Sequence, residues 1–105
     1  MSYWVYVIEL EPEVWERRAY RAQNPSFEHS APPERFFYVG QTCLEPRERY
    51  EQHVQGVRFS RIVRSHARWL RRRLCRPHAT RAEAEAGESA MTRRLQARGW
   101  AAYSN

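Results

Sequence analysis

The chain contains no lysine and no aspartate: its 18 basic residues are all arginine and its 12 acids all glutamate. Cysteine is scarce, and Cys43 and Cys75 form neither a CxxC pair nor a metal-ligand cluster. With no signal peptide ahead of them, their thiols are expected to stay reduced in a cytoplasmic setting. The apolar start, residues 3–8, is far shorter than the roughly 20 residues a membrane-crossing helix needs, so no membrane partner is expected. Repeats and low-complexity stretches are also missing.

The most telling gap is local. Between Gln52 and Ala82 there is no carboxylate, while arginine stands at Arg58, Arg61, Arg64, Arg68, Arg71, Arg72, Arg73, Arg76 and Arg81. A one-sign block of this length, in a chain of net charge +6, is the electrostatic footprint of a protein that binds a phosphate backbone. Arg58, Arg61, Arg64, Arg68 and Arg71 are its candidate contacts. DNA is the expected partner, with RNA carrying the same backbone charge. The bland alternative is a solvated basic face with no dedicated partner.

At 105 residues the chain is expected to be one domain with a modest core. Residues 3–10 read as a first strand, with Trp4, Tyr6 and Ile8 on one face and Val5 and Val7 on the other, both apolar enough to be covered. A long connection follows, about 11–34. Its first half suits a short helix with Glu13 and Glu16 early and Arg17, Arg18 and Arg21 late. Its second half carries Pro25, Pro32 and Pro33 and is expected to be irregular. Trp15, Arg17, Arg18 and Tyr20 either shape a substrate groove or belong to a tolerated surface loop.

Residues 35–41 read as a second strand, antiparallel to the first. A helix opening near Pro46 and stopping at Gly56 follows, then a short helix over 61–66 capped by Ser60. Residues 69–74 suit either a continuation of that helix or a third strand. Arg76, Pro77 and His78 read as a break. Thr80 with Glu83 three residues on forms a capping box for a last helix over about 81–97. Gly87 inside that helix costs roughly 1 kcal/mol relative to alanine, which points to a close backbone approach. The tail, 100–105, is expected to be tied to the core through its Trp and Tyr.

Tyr38 at the end of the second strand, with Arg49 and His53 one turn apart on the next helix, form a candidate phosphate site. These residues, with Trp4-Val5-Tyr6, Tyr38-Val39-Gly40, the Arg49-x-x-x-His53 spacing and the helical Glu88, resemble the signature of the GIY-YIG nuclease superfamily over nearly the whole chain. Trp4 stands where that signature has its first glycine, which removes no reacting group. The resemblance implies an α/β (α+β) domain, a small three-stranded antiparallel sheet flanked by helices, with a third strand at 69–74 and 11–34 as an insertion. It also implies a metal-dependent endonuclease that hydrolyses DNA phosphodiesters.

The site residues so implied are Tyr6, Tyr38, Arg49, His53 and Glu88, with Asn105 resembling the asparagine that closes the pattern. Glu88 would be the ligand of Mg2+ or Mn2+, for which one carboxylate is chemically sufficient. Arg49 would stabilise charge on the scissile phosphate through its fork of donors; Arg47 competes for the role but lacks the i, i+4 relation to a histidine. A tyrosine with its ordinary pKa of about 10 needs a nearby cation to act as a base at neutral pH. The rival expectation is a non-catalytic nucleic-acid-binding module using the same arginines, and a third is a module for an acidic protein partner.

Overall fold

Strand β1, Tyr3–Leu10, lies inside the sheet of this computed structural model, which describes residues 2–27 and 29–105. On one side it pairs antiparallel with β2, Phe36–Thr42. On its other side it takes two short antiparallel partners: β3, Ala67–Leu70, along Ile8–Leu10 and β4, Arg76–His78, along Tyr3–Val5. The fifth strand, β5 (Ala101–Ser104), runs parallel to β2 on its outer side. The result is an α+β domain with a mixed five-stranded sheet, where three antiparallel strands were expected.

The difference has local causes. The strand expected at 69–74 ends at Leu70, because residues 72–74 turn as a single 3-10 turn. Arg71 still donates its backbone N–H to Val7 (2.8 Å). Past the turn, the segment read as a break pairs as β4, with Pro77 at the sheet's edge where a missing N–H is tolerated. Strand β5 carries two alanines and no β-branched residue, so its extended form follows from pairing with β2 rather than from propensity.

The alternation along β1 divides the interior in two. Tyr6, Ile8 and Leu10 join Phe36, Tyr38, Ile62, Val63 and Leu70 on one face, under α2 (Pro46–Gln55) and α3 (Arg61–His66). Val5 and Val7 join Phe37, Val39, Met91, Leu95 and Ala102 on the other, under α4 (Arg81–Ala97). Helix α2 is capped by Glu45, whose side chain accepts the Arg47 N–H (2.9 Å), and stops at Gly56 with φ 82°. In α4, Thr80 accepts the Glu83 N–H and Glu83 accepts from Ala79, one residue earlier than a regular capping box (3.1 Å each). A Cβ at Gly87 would stand 2.6 Å from His78 Nε2 and 3.2 Å from Val5 Cγ2, so the glycine serves strand packing.

The insertion is folded onto the sheet, and Trp15 and Arg18 line a cavity on it together with Arg21, Asn24 and Phe27. It forms 3-10 turns at Pro12–Glu16 and Pro25–Phe27 around α1, Arg18–Ala22; Glu28 lies outside the described residues. Tyr20 is fully buried, and its hydroxyl both donates to Phe37 O and accepts from Phe37 N–H (2.9 Å each). The free edge of β5 is closed by side-chain amides. Asn24 Oδ1 accepts the Ala102 N–H (2.9 Å), Gln96 Nε2 donates to Ala102 O (3.2 Å), and Gln23 brackets Ser104 (2.8 and 3.0 Å). These bonds satisfy backbone groups that an open edge would present to another chain. Among the described residues no helix is long and apolar enough to cross a membrane.

Candidate active site

Register places the two tyrosines. Tyr6 stands opposite Gly40 and Ile8 opposite Tyr38, so Tyr6 and Tyr38 are diagonal neighbours on one face, their ring centroids 6.1 Å apart. A Cβ at Gly40 would lie 2.5 Å from both Cζ and Oη of Tyr6. The Tyr6 ring therefore lies across the glycine backbone, and β2 continues past this point to Thr42 rather than ending there.

Helix α2 brings His53 against both rings, at 5.8 Å from each centroid. His53 is fully buried and used at both nitrogens. The backbone N–H of Ser60 donates to Nδ1 (3.0 Å), and Nε2 lies 2.9 Å from Tyr6 Oη. Since Nδ1 accepts, the neutral ring carries its hydrogen on Nε2 and donates to Tyr6, leaving the phenol's own hydrogen for the side-chain bond that Tyr6 makes to Tyr38. Burial, with the Arg49 charge adding to it, lowers the His53 pKa to about 4.

Arg49 lies one turn before His53, half-buried, with Nη1 donating to Gln52 Oε1 (3.0 Å). Its charge bears on Tyr6, Tyr38 and His53 together. Arg47 is exposed and lies over the Tyr50 ring, 5.7 Å from its centroid. Burial raises the proton affinity of Tyr6 well above the ordinary phenol range, and Tyr38 adds to the effect. Tyr38 is likewise raised by burial, and its hydroxyl accepts a hydrogen bond from Asn105 Nδ2 (2.9 Å). Both phenols hold their protons at neutral pH and take part in this arrangement as hydrogen-bonding groups.

Glu88 comes from α4, half-buried. Burial pushes its carboxyl up to about 7, with Glu85 one turn earlier adding repulsion. Its charge reaches Tyr38, whose proton affinity it raises further. Tyr6, Tyr38, Arg49, His53 and Asn105, drawn from β1, β2, α2 and the segment after β5, are thus linked by hydrogen bonds and ring contacts, whereas Glu88 of α4 joins them only through its charge on Tyr38. Among the described residues no three His, Cys or Glu side chains assemble a metal cage. One half-buried carboxylate such as Glu88, with water and phosphate oxygens, is a donor set that fits Mg2+.

The five candidate arginines divide. Arg58, Arg61 and Arg64 are exposed on the turn and helix that follow His53. Arg68 lies 4.5 Å over the Trp69 ring and 3.7 Å from Glu11. Arg71 donates to the buried Glu9 at 2.7 Å, with Arg35 at 3.5 Å on the same carboxylate. Removing Arg71 would leave the buried Glu9 with only the longer Arg35 contact, so its first role is structural. Sequence reasoning named Gly40 in the signature and Ser60 as a helix cap, but not Gly40 as the floor under Tyr6 or the Ser60 amide as the partner of His53, and it missed Gln52 altogether. Only Gly40's role left a signal, a strand glycine opposite a bulky aromatic.

The His53 shift has a measurable consequence. The folded state favours the neutral ring, so this contribution to stability is complete above about pH 6.5 and is lost as pH falls toward 4. It amounts to about 3 kcal/mol over that window. Urea unfolding at pH 7.5 and 4.5 is expected to show a drop in wild type that His53→Gln, which cannot titrate, largely lacks. Equal drops in both proteins would contradict the assignment.

No family model, no curated protein and no solved structure matches the chain.

Proposed function

We propose that the chain is a divalent-metal-dependent endonuclease of GIY-YIG type that hydrolyses DNA phosphodiester bonds. In this reading the antiparallel β3-β1-β2 core is the counterpart of that family's three-stranded sheet, with β4 and β5 as additions. The observation that carries the proposal is the convergence of Tyr6, Tyr38, Arg49 and His53 on one face of the sheet, with the Glu88 charge acting on Tyr38.

Arg49 holds the scissile phosphate by its guanidinium fork, and its charge offsets the negative charge that builds on the phosphorus oxygens. The Tyr6 hydroxyl bonds Tyr38 and Arg49 as well as His53, so a phosphate oxygen or the attacking water would take the place of one of those partners. His53 fixes the Tyr6 hydroxyl, and Ser60 fixes His53. Asn105 does the same for Tyr38. Glu88 would hold the cation, which when bound acidifies water and neutralises a leaving oxygen. One such centre cuts one strand.

The non-catalytic nucleic-acid-binding module is the second reading. It is favoured by the burial of Tyr6, 1% exposed, which keeps that hydroxyl from a substrate until the surroundings yield. Supercoiled plasmid incubated with Mg2+ or Mn2+, against a chelator, separates the two. The nuclease reading expects nicking that the chelator stops and that Glu88→Ala loses while still binding DNA. Undiminished nicking by Glu88→Ala would remove the metal assignment, and binding without nicking would favour the module.

A further inference from the structure

The turn between α2 and α3 exposes apolar side chains at the start of the carboxylate-free, arginine-rich stretch. Val57 is 51% exposed and Phe59 41%, with Val54 of α2 at 40%. Arg58, between Val57 and Phe59, takes φ 47°, a left-handed conformation that a non-glycine residue adopts only under constraint. The Arg64 guanidinium lies 5.1 Å from the Phe59 ring centroid. The next residue, Ser60, is the one whose amide fixes His53.

A surface of exposed aromatic and aliphatic groups among arginines, without a carboxylate from Gln52 to Ala82, suits a ligand that is both polyanionic and flat-faced. Nucleic acid has both properties, but only an unpaired base offers its face, since a uniform duplex hides its faces in the stack. We infer that Val57 and Phe59 form a wedge that stacks on an unpaired base beside the site, so that the chain prefers nucleic acid with an unpaired or splayed base over uniform duplex. The cleft position of that base rests on the nuclease reading; the stacking itself does not require hydrolysis.

The test uses the whole chain in chelator and a short DNA duplex carrying 2-aminopurine, either unpaired or paired with thymine. The unpaired duplex is expected to bind roughly ten-fold tighter, the size of one base–aromatic stack, with its fluorescence quenched on binding. Phe59→Ala should lose both the preference and the quench while binding the paired duplex like wild type, and Phe59→Trp should keep both. Arg64→Ala should weaken both duplexes alike. Equal affinity for the two duplexes in wild type, or a preference that Phe59→Ala retains, overturns the wedge. A Phe59-dependent preference without cleavage in Mg2+ supports the wedge and removes the nuclease reading. Cleavage of both duplexes alike, indifferent to Phe59, does the reverse.

Discussion

Arg49→Ala is expected to slow phosphodiester cleavage by about 10²–10³-fold, the cost of removing one preorganised charge-stabilising donor. The fold should survive the change, because Arg49 is half-buried and its side chain bonds only polar groups of the site itself, Gln52 Oε1 and the Tyr6 hydroxyl. Arg49→Lys should recover only part of the loss, since an ammonium keeps the charge but not the fork. Arg47→Ala should stay within a few-fold of wild type, its side chain lying over Tyr50 in solvent. A second readout needs no catalysis. The Arg49 charge depresses the His53 pKa, so imidazole NMR should show that pKa rising in Arg49→Ala. Single-turnover rates unchanged by Arg49→Ala, or a His53 pKa that stays put, would remove Arg49 from the site.

Gly40→Ala is expected to be the most damaging single-methyl change in the sheet. The added Cβ would meet the Tyr6 ring at 2.5 Å. That ring cannot swing clear, because it is buried and hydrogen-bonded to His53. Overpacking of this kind costs about 1–3 kcal/mol, and each kcal/mol lowers the melting temperature by about 4–8 °C in a domain of this size. Cleavage should fall as well, since any relief of the clash displaces the Tyr6 hydroxyl. The cause can be isolated by calorimetry in a Tyr6→Leu background, where the ring is gone and the Gly40→Ala penalty should shrink markedly. An undiminished penalty there would place the strain elsewhere.

The elements whose residues agree at several levels were readable in advance. The alternation of Trp4, Tyr6 and Ile8 against Val5 and Val7 defined β1 and both of its covered faces. Pro46 with Gly56, and Thr80 with Gly99 beyond the last turn, bounded α2 and α4. What escaped was decided by partners rather than by local preference. Strand β4 contains a proline and β5 two alanines, and both are extended because β1 and β2 offer them free edges. The insertion's role was invisible for the same reason: nothing around Tyr20 foretells that its hydroxyl will serve Phe37 from 17 residues away. Within the site, the residue types and the Arg49–His53 spacing were legible. The tautomer of His53 was not, because it depends on a backbone amide of a loop, and neither was the diversion of Arg71 to Glu9.

The division of the interior into two layers has a consequence for when such a centre becomes competent. Tyr6, Tyr38 and His53 belong to the layer beneath α2, whereas Glu88 rides on the helix packed over the opposite layer through Met91 and Leu95. A nascent or partly melted chain with one layer condensed would hold the phosphate-facing groups or the cation-facing group, never both. On the proposed nuclease reading, condensation of both sides of the sheet would double as a safety catch, keeping an immature chain from damaging nucleic acid around it.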